Sequence, residues 1–252
     1  MRMLLVAAML LFGLAGCGSA GSMTADGPAQ TPATSAPPTD AAGNPIVRPR
    51  CATADGGSYV HASGPGSITP VLILGSGPRG VVVGAQANGG ICQMLPFART
   101  LVGKGYHVAV FDWTRPYGEA MSTAARVLLE NGATRVALGG FSRGALVALG
   151  VAESVGPAAV GVFSVSGGPS SSEGFPTIAS LSTYHGPILL IMGRGDAVFP
   201  AGTTEAIAAA HDGDETVLVV PASAHALALL DDGVDGATVL AALDDFLARV
   251  LA

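Results

Sequence analysis

Three residue types able to do covalent chemistry together each follow a short apolar run in this chain. Ser142 comes after Val136-Ala137-Leu138-Gly139-Gly140-Phe141, inside Gly140-Phe141-Ser142-Arg143-Gly144. Asp196 lies in Gly193-Arg194-Gly195-Asp196-Ala197-Val198-Phe199-Pro200, just after a run ending at Met192. His225 lies in Ala222-Ser223-Ala224-His225, after a run ending at Val220. A hydroxyl, a carboxylate and an imidazole within reach of one another are the parts of nucleophilic acyl transfer. The pattern G-x-S-x-G at a strand-to-helix turn lifts a serine hydroxyl above a sheet, and side chains in place of its glycines would strike the neighbouring strand or helix. With 36 glycines in 252 residues, about 0.4 chance matches to that pattern are expected, so its structural surroundings have to carry the argument.

Those surroundings are legible. Apolar runs predict strands over 71–74, 80–85, 107–113, 136–141, 159–165, 187–192 and 216–220. Between them, helix-compatible segments fall at 93–102, 117–131, 143–155 and 203–211, with a last one at 234–251. In the second of these, Met121, Ala124, Ala125, Leu128 and Leu129 recur at helical spacing, and Gly132 is placed as a stop. Strands apolar on both faces and alternating with helices predict an α/β fold, with a mainly parallel central sheet covered on both sides. Active sites of such sheets form at the carboxyl ends of the strands, where Ser142, Asp196 and His225 all fall.

Composition narrows the partners. The chain is 49% hydrophobic and only 12% charged, with a net charge of -6. That is ample for one large core. The absence of a basic run argues against a nucleic-acid partner. The five histidines are scattered, no cysteine pair has ligand spacing, and no phosphate-binding glycine loop is in place, so neither a metal nor a cofactor is expected.

The N-terminal sequence predicts export. Met1-Arg2 precedes an apolar run from Met3 to Leu14, too short to cross a bilayer core of about 30 Å and suited to a signal peptide over 1–16. Leu14-Ala15-Gly16-Cys17 resembles the bacterial lipobox, which implies lipidation of Cys17 (thioether-linked lipid and palmitate) and anchoring on the extracytoplasmic side of a cell membrane. From 17 to 50 the residues are mostly Gly, Ser, Thr, Ala and Pro, the composition of a disordered tether. The folded domain is expected over 51–252. In an exported protein Cys51 and Cys92 are either a disulfide or two buried thiols. A bridge would tie the start of the domain to the segment after an early strand.

The order serine, aspartate, histidine on strand-end loops resembles the α/β-hydrolase family over nearly the whole domain. The resemblance implies that Ser142 is the nucleophile, His225 the general base and Asp196 the acid that orients it. It implies one oxyanion donor on the backbone N–H of Arg143. A second would come from Gln86-Ala87-Asn88-Gly89-Gly90, on Asn88 or Ala87, although many relatives carry His-Gly where this chain has Gln86-Ala87. Arg143 also departs from the apolar residue common after the nucleophile; its guanidinium can meet a carboxylate, anchor a neighbouring loop or stand solvated. Trp113 and Tyr117 either line the acyl pocket or simply pack. His185 and His211 are expected away from the serine, and His61 and His107 to be structural.

The connection over 167–186, about twenty residues, leaves room for only a minimal cap. An open pocket of that kind suits short-to-medium or polymeric esters. The chain is loosely most similar to the dienelactone-hydrolase and polyester-hydrolase types. The implied function is that of an extracytoplasmic, membrane-tethered serine esterase working without a cofactor. Transferases, thioesterases and amidases use the same triad, and a silent binding lipoprotein can keep the same fold.

Overall fold

Alternation along the strands accounts for the layering. The computed structural model describes residues 39, 43, 45–168, 181, 183–200 and 202–252. The segment expected to be a signal peptide, Cys17, most of the expected tether and most of the short connection expected in place of a cap lie outside them. Eight strands form one sheet: β1 (Ser58–Ser63), β2 (Ile68–Leu74), β3 (Arg79–Gly84), β4 (His107–Phe111), β5 (Arg135–Phe141), β6 (Ala159–Val165), β7 (Ile188–Gly193) and β8 (Glu215–Val220). Their order is β1-β2-β4-β3-β5-β6-β7-β8. β2 is antiparallel to β1 and β4, and the other neighbours are parallel.

Successive side chains of a strand point to opposite faces, and here both faces are apolar. Leu72, Leu74, Val81, Val83, Val108 and Val110 join one core with helices α1 (Ile91–Gly103) and α5 (Gly233–Val250). Val71, Ile73, Val82, Ala109 and Phe111 join the other, with α2 (Tyr117–Glu130), α3 (Arg143–Val155) and α4 (Gly202–Ala210). Two buried faces explain why six of the strands, β2 to β7, read as continuous apolar runs; β8 has such a run as well but is largely exposed over its first half. β1 escaped that reading because it is Ser-Tyr-Val-His-Ala-Ser and only half-buried at the sheet edge. The strand expected to reach Trp113 ends at Phe111, where Asp112 turns aside and its Oδ1 accepts the Ile91 N–H of α1 at 2.9 Å. Gly132 ends α2 with φ +106°, as its placement implied.

Cys51 and Cys92 form a disulfide, with Cα atoms 5.6 Å apart and 41 residues of separation. It fastens the 3-10 turn Arg50–Ala52 to the first turn of α1. Among the described residues no helix is long and apolar enough to cross a membrane.

Candidate active site

The serine turn is built by close approach of backbones. β3 and β5 pair with Gly84 opposite Gly140, and α3 begins directly above them. A Cβ on Gly140 would lie 2.3 Å from Gly84 O, and one on Gly144 would lie 2.0 Å from the same atom. Neither position tolerates a side chain, and the chain can therefore reverse from strand to helix within one residue. That residue is Ser142, at φ 51° and ψ -108°, a backbone region that non-glycine residues seldom occupy. Its N–H bonds to Val165 O at 2.9 Å, fixing the turn to the end of β6, and its hydroxyl does not cap its own helix.

Asp196 and His225 meet across the ends of β7 and β8. His225 Nδ1 donates to Asp196 Oδ2 at 2.7 Å, and the Asp196 side chain is fully buried. Its other oxygen accepts the N–H groups of Val198 at 2.8 Å and Phe199 at 3.1 Å. Burial alone pushes this carboxyl up. Hydrogen bonds from His225, the Phe199 and Val198 amides and the Ser166 hydroxyl outweigh that effect and hold its pKa below the ordinary value. The carboxylate is thus ionised and aimed at His225 Nδ1, which leaves Nε2 outside this bond. The Phe199 ring lies 6.0 Å from the imidazole. Among the described residues no hydrogen bond yet joins Ser142 Oγ to His225, and in hydrolases without substrate this contact is often long.

Backbone strain marks the same place. Among the described residues four non-glycines have positive φ: Ala87, Ser142, Ser166 and Ala226. They belong, in turn, to the loop after β3, the serine turn, the residue after β6 and the residue after His225. Strained positions collect where a site requires a geometry the backbone would not otherwise choose.

The loop after β3 is a tight turn, closed by Gly89 N–H to Gln86 O at 2.9 Å. The Arg143 side chain holds it: Nη1 donates to Ala87 O at 2.7 Å and to Asn88 Oδ1 at 2.8 Å. The guanidinium also stacks 4.5 Å over the Tyr117 ring. Of the three roles open to Arg143, loop anchor is the one these contacts show. The backbone N–H groups of Arg143, at the start of α3, and of Ala87 and Asn88 therefore lie on elements fastened to each other beside Ser142. Trp113 packs edge-on between Phe111 at 4.8 Å and Tyr117 at 5.6 Å, with its indole tip near Gly84.

The phospholipase/carboxylesterase family matches residues 122–225, a stretch that includes all three candidate residues. The chain superposes on an esterase of Pyrococcus furiosus with a TM-score of 0.71, covering 86% of this chain and 97% of that one at 14% identity. It superposes on a dienelactone hydrolase of Anabaena variabilis with a TM-score of 0.65, covering 78% and 99% at 15% identity. The chain has the α/β-hydrolase fold. A monoacylglycerol lipase of Paleococcus ferrophilus shares the fold as well, with a TM-score of 0.61 at 14% identity over 71% of this chain and 98% of that one. In sequence, this chain is 30% identical over 184 residues to an uncharacterized protein of Mycobacterium tuberculosis. That stretch is 60% of this chain and 64% of the relative.

The other histidines sit elsewhere in the fold. His211 is buried, with Nε2 against Gly186 O at 3.0 Å, and His185 pairs with exposed Asp212 at 2.5 Å. Both belong to segments leading into β7 and β8, at the end of the sheet opposite Ser142. His107 bonds Gly77 O and His61 meets Tyr59. Among the described residues no group of three or more His, Cys, Asp or Glu can hold a metal ion.

Ser166 and Gln86 carry more of the site than their sequence context suggested. Ser166 follows β6 as directly as Ser142 follows β5, so the strand-end rule was the signal that pointed to it. Gln86 stood out only as a departure from His-Gly.

Proposed function

We propose that this protein is an extracytoplasmic serine hydrolase that cleaves carboxylic esters. The observation that carries the reading is the His225–Asp196 bond of 2.7 Å on a fully buried carboxylate, at the same sheet end as a serine in a strained turn. Ser142 Oγ attacks the ester carbonyl carbon as His225 Nε2 takes its proton, and Asp196 stabilises the imidazolium so formed. The oxyanion is met by the Arg143 N–H and by an N–H of Asn88 or Ala87. One such donor contributes about 2.7–4 kcal/mol. Collapse breaks the ester C–O bond, and His225 returns the proton to the departing alcohol. Water, deprotonated by His225, then attacks the acyl-serine carbonyl to release the carboxylic acid and restore Ser142.

Trp113 and Tyr117, beside Gly84 and Arg143, supply the wall against which the acyl group lies. The family match to phospholipases and carboxylesterases supports ester chemistry, and the short connection over 167–186 supports an open site for small or polymeric esters. The lipobox-like Leu14-Ala15-Gly16-Cys17 and the tether after it support a lipid-anchored, cell-surface location.

Labelling of the native protein by a fluorophosphonate, with Ser142→Ala as control, tests the nucleophile. Absence of labelling would refute it. Ester turnover with and without an added alcohol or amine separates hydrolysis from transfer. Incorporation of a palmitate analogue by the native precursor but not by Cys17→Ala tests the anchor.

A further inference from the structure

His225 has a second set of restraints, on its backbone. The 3-10 turn 226–231 begins at the next residue, and the first N–H groups of such a turn have no acceptor within it. Two distant side chains supply the acceptors. Ala226 N–H donates to Ser166 Oγ at 3.0 Å, and Leu227 N–H donates to Gln86 Oε1 at 3.1 Å. The partners are 60 and 141 residues away in sequence, at the ends of β6 and β3. Ala226 and Ser166 are both fully buried, and both have positive φ. A buried N–H needs a partner, and a strained residue persists only where its surroundings over-determine it.

We propose that Gln86 and Ser166 are positioning residues that fix the imidazole of His225 by holding the two peptide groups that follow it. This rests on the reading of His225 as general base. The backbone at 225–227 sets the direction of the His225 side chain, while Asp196 sets only the rotation of its ring. Ser166 serves both, because its hydroxyl also lies against the Asp196 carboxylate. Gln86 begins the turn that carries the expected oxyanion donors. One side chain therefore couples the position of the proton acceptor to the position of the charge-stabilising amides, on opposite sides of the reacting carbonyl.

The test compares Gln86→Leu and Ser166→Ala with the native chain on a short p-nitrophenyl ester. Misplacing a reacting group by about 1 Å costs up to about a hundredfold in rate. Each variant is therefore expected to lower kcat roughly ten- to a hundredfold with KM unchanged, and Gln86→Glu, which keeps an acceptor oxygen, to recover most of the loss. The strongly deshielded proton between His225 Nδ1 and Asp196 Oδ2, read by proton NMR, is expected to weaken in both variants and to persist in Gln86→Glu. Native kcat and a native proton signal in Gln86→Leu would overturn the proposal. That variant is at a half-buried position, so it decides the matter even if Ser166→Ala fails to fold. His225→Ala and fluorophosphonate labelling run beside it. If the native protein resists labelling and His225→Ala keeps full activity, the triad reading fails on its own. The proton signal, which needs no turnover, still reports on the positioning.

Discussion

Replacing Arg143 by methionine keeps the backbone N–H that is expected to face the oxyanion and removes the side chain that holds the opposite loop. The side chain makes two charge-assisted hydrogen bonds, at 2.7 Å to Ala87 O and 2.8 Å to Asn88 Oδ1. In an exposed setting the pair contributes about 1–2 kcal/mol. Stacking over Tyr117 at 4.5 Å adds about 0.5–1 kcal/mol. Losing about 2 kcal/mol of preference for the ordered loop lowers its population by up to about thirtyfold. A donor in place only part of the time lowers kcat in the same proportion, within the ceiling of about 10²–10³ for losing an oxyanion donor outright. Arg143→Met is therefore expected to lower kcat about ten- to thirtyfold, with a small change in KM and in Tm. Initial rates on a short p-nitrophenyl ester measure this, and Asn88→Ala alone and combined with Arg143→Met should show non-additive losses because the two share one bond. A kcat within twofold of native for Arg143→Met would refute the reasoning, since the loop would then be held by something other than this side chain.

Gly144→Ala places a Cβ 2.0 Å from Gly84 O, against backbone that cannot yield. It should cost at least about 3 kcal/mol, or about 6–12 °C in Tm for a domain of this size, although alanine ordinarily favours a helix over glycine. Serine in place of Cys51 and Cys92 removes a crosslink spanning 41 residues, worth about 4 kcal/mol on the loop-entropy argument, and Tm should fall by about 8–16 °C. Asp196→Asn should lower kcat by about 10⁴. The same variant changes the acid side of stability. The folded pKa of Asp196 is depressed, so its contribution is present above the unfolded value of 3.8 and is lost as pH falls below that towards the folded value. A plot of Tm against pH should therefore be flatter below about pH 4 for Asp196→Asn than for the native chain.

Strands β2 to β7 were legible because they are buried on both faces and so read as apolar runs, and β8 was legible from Val217-Leu218-Val219-Val220 although its first half is exposed. β1 was not, because a half-buried edge strand needs no such run, and Ser-Tyr-Val-His-Ala-Ser has none. Ser142, Asp196 and His225 could be singled out as candidates from their place after strands, and the structure brings Asp196 and His225 into direct contact. The supporting residues were harder to see. Arg143, Gln86 and Ser166 act through partners 55–141 residues away, and no local pattern records such pairings. The glycines were partly legible: the motif called for Gly140 and Gly144, but the obstacle they avoid, Gly84 O, belongs to another strand.

The position of β8 has a consequence for how this protein would fail. Among the described residues it is the last strand of the sheet, paired with β7 alone, and its first residues, from Glu215 to Val217, are exposed. The loop that bears His225 hangs from this edge, while Ser142 is rooted in the middle of the sheet. Edge elements open locally at lower free energy than central ones. Modest heat or denaturant would therefore swing His225, the proposed proton acceptor, away from an intact serine turn while most of the secondary structure stays in place. Catalysis would then vanish several degrees before the circular dichroism changes, and cooling would restore it.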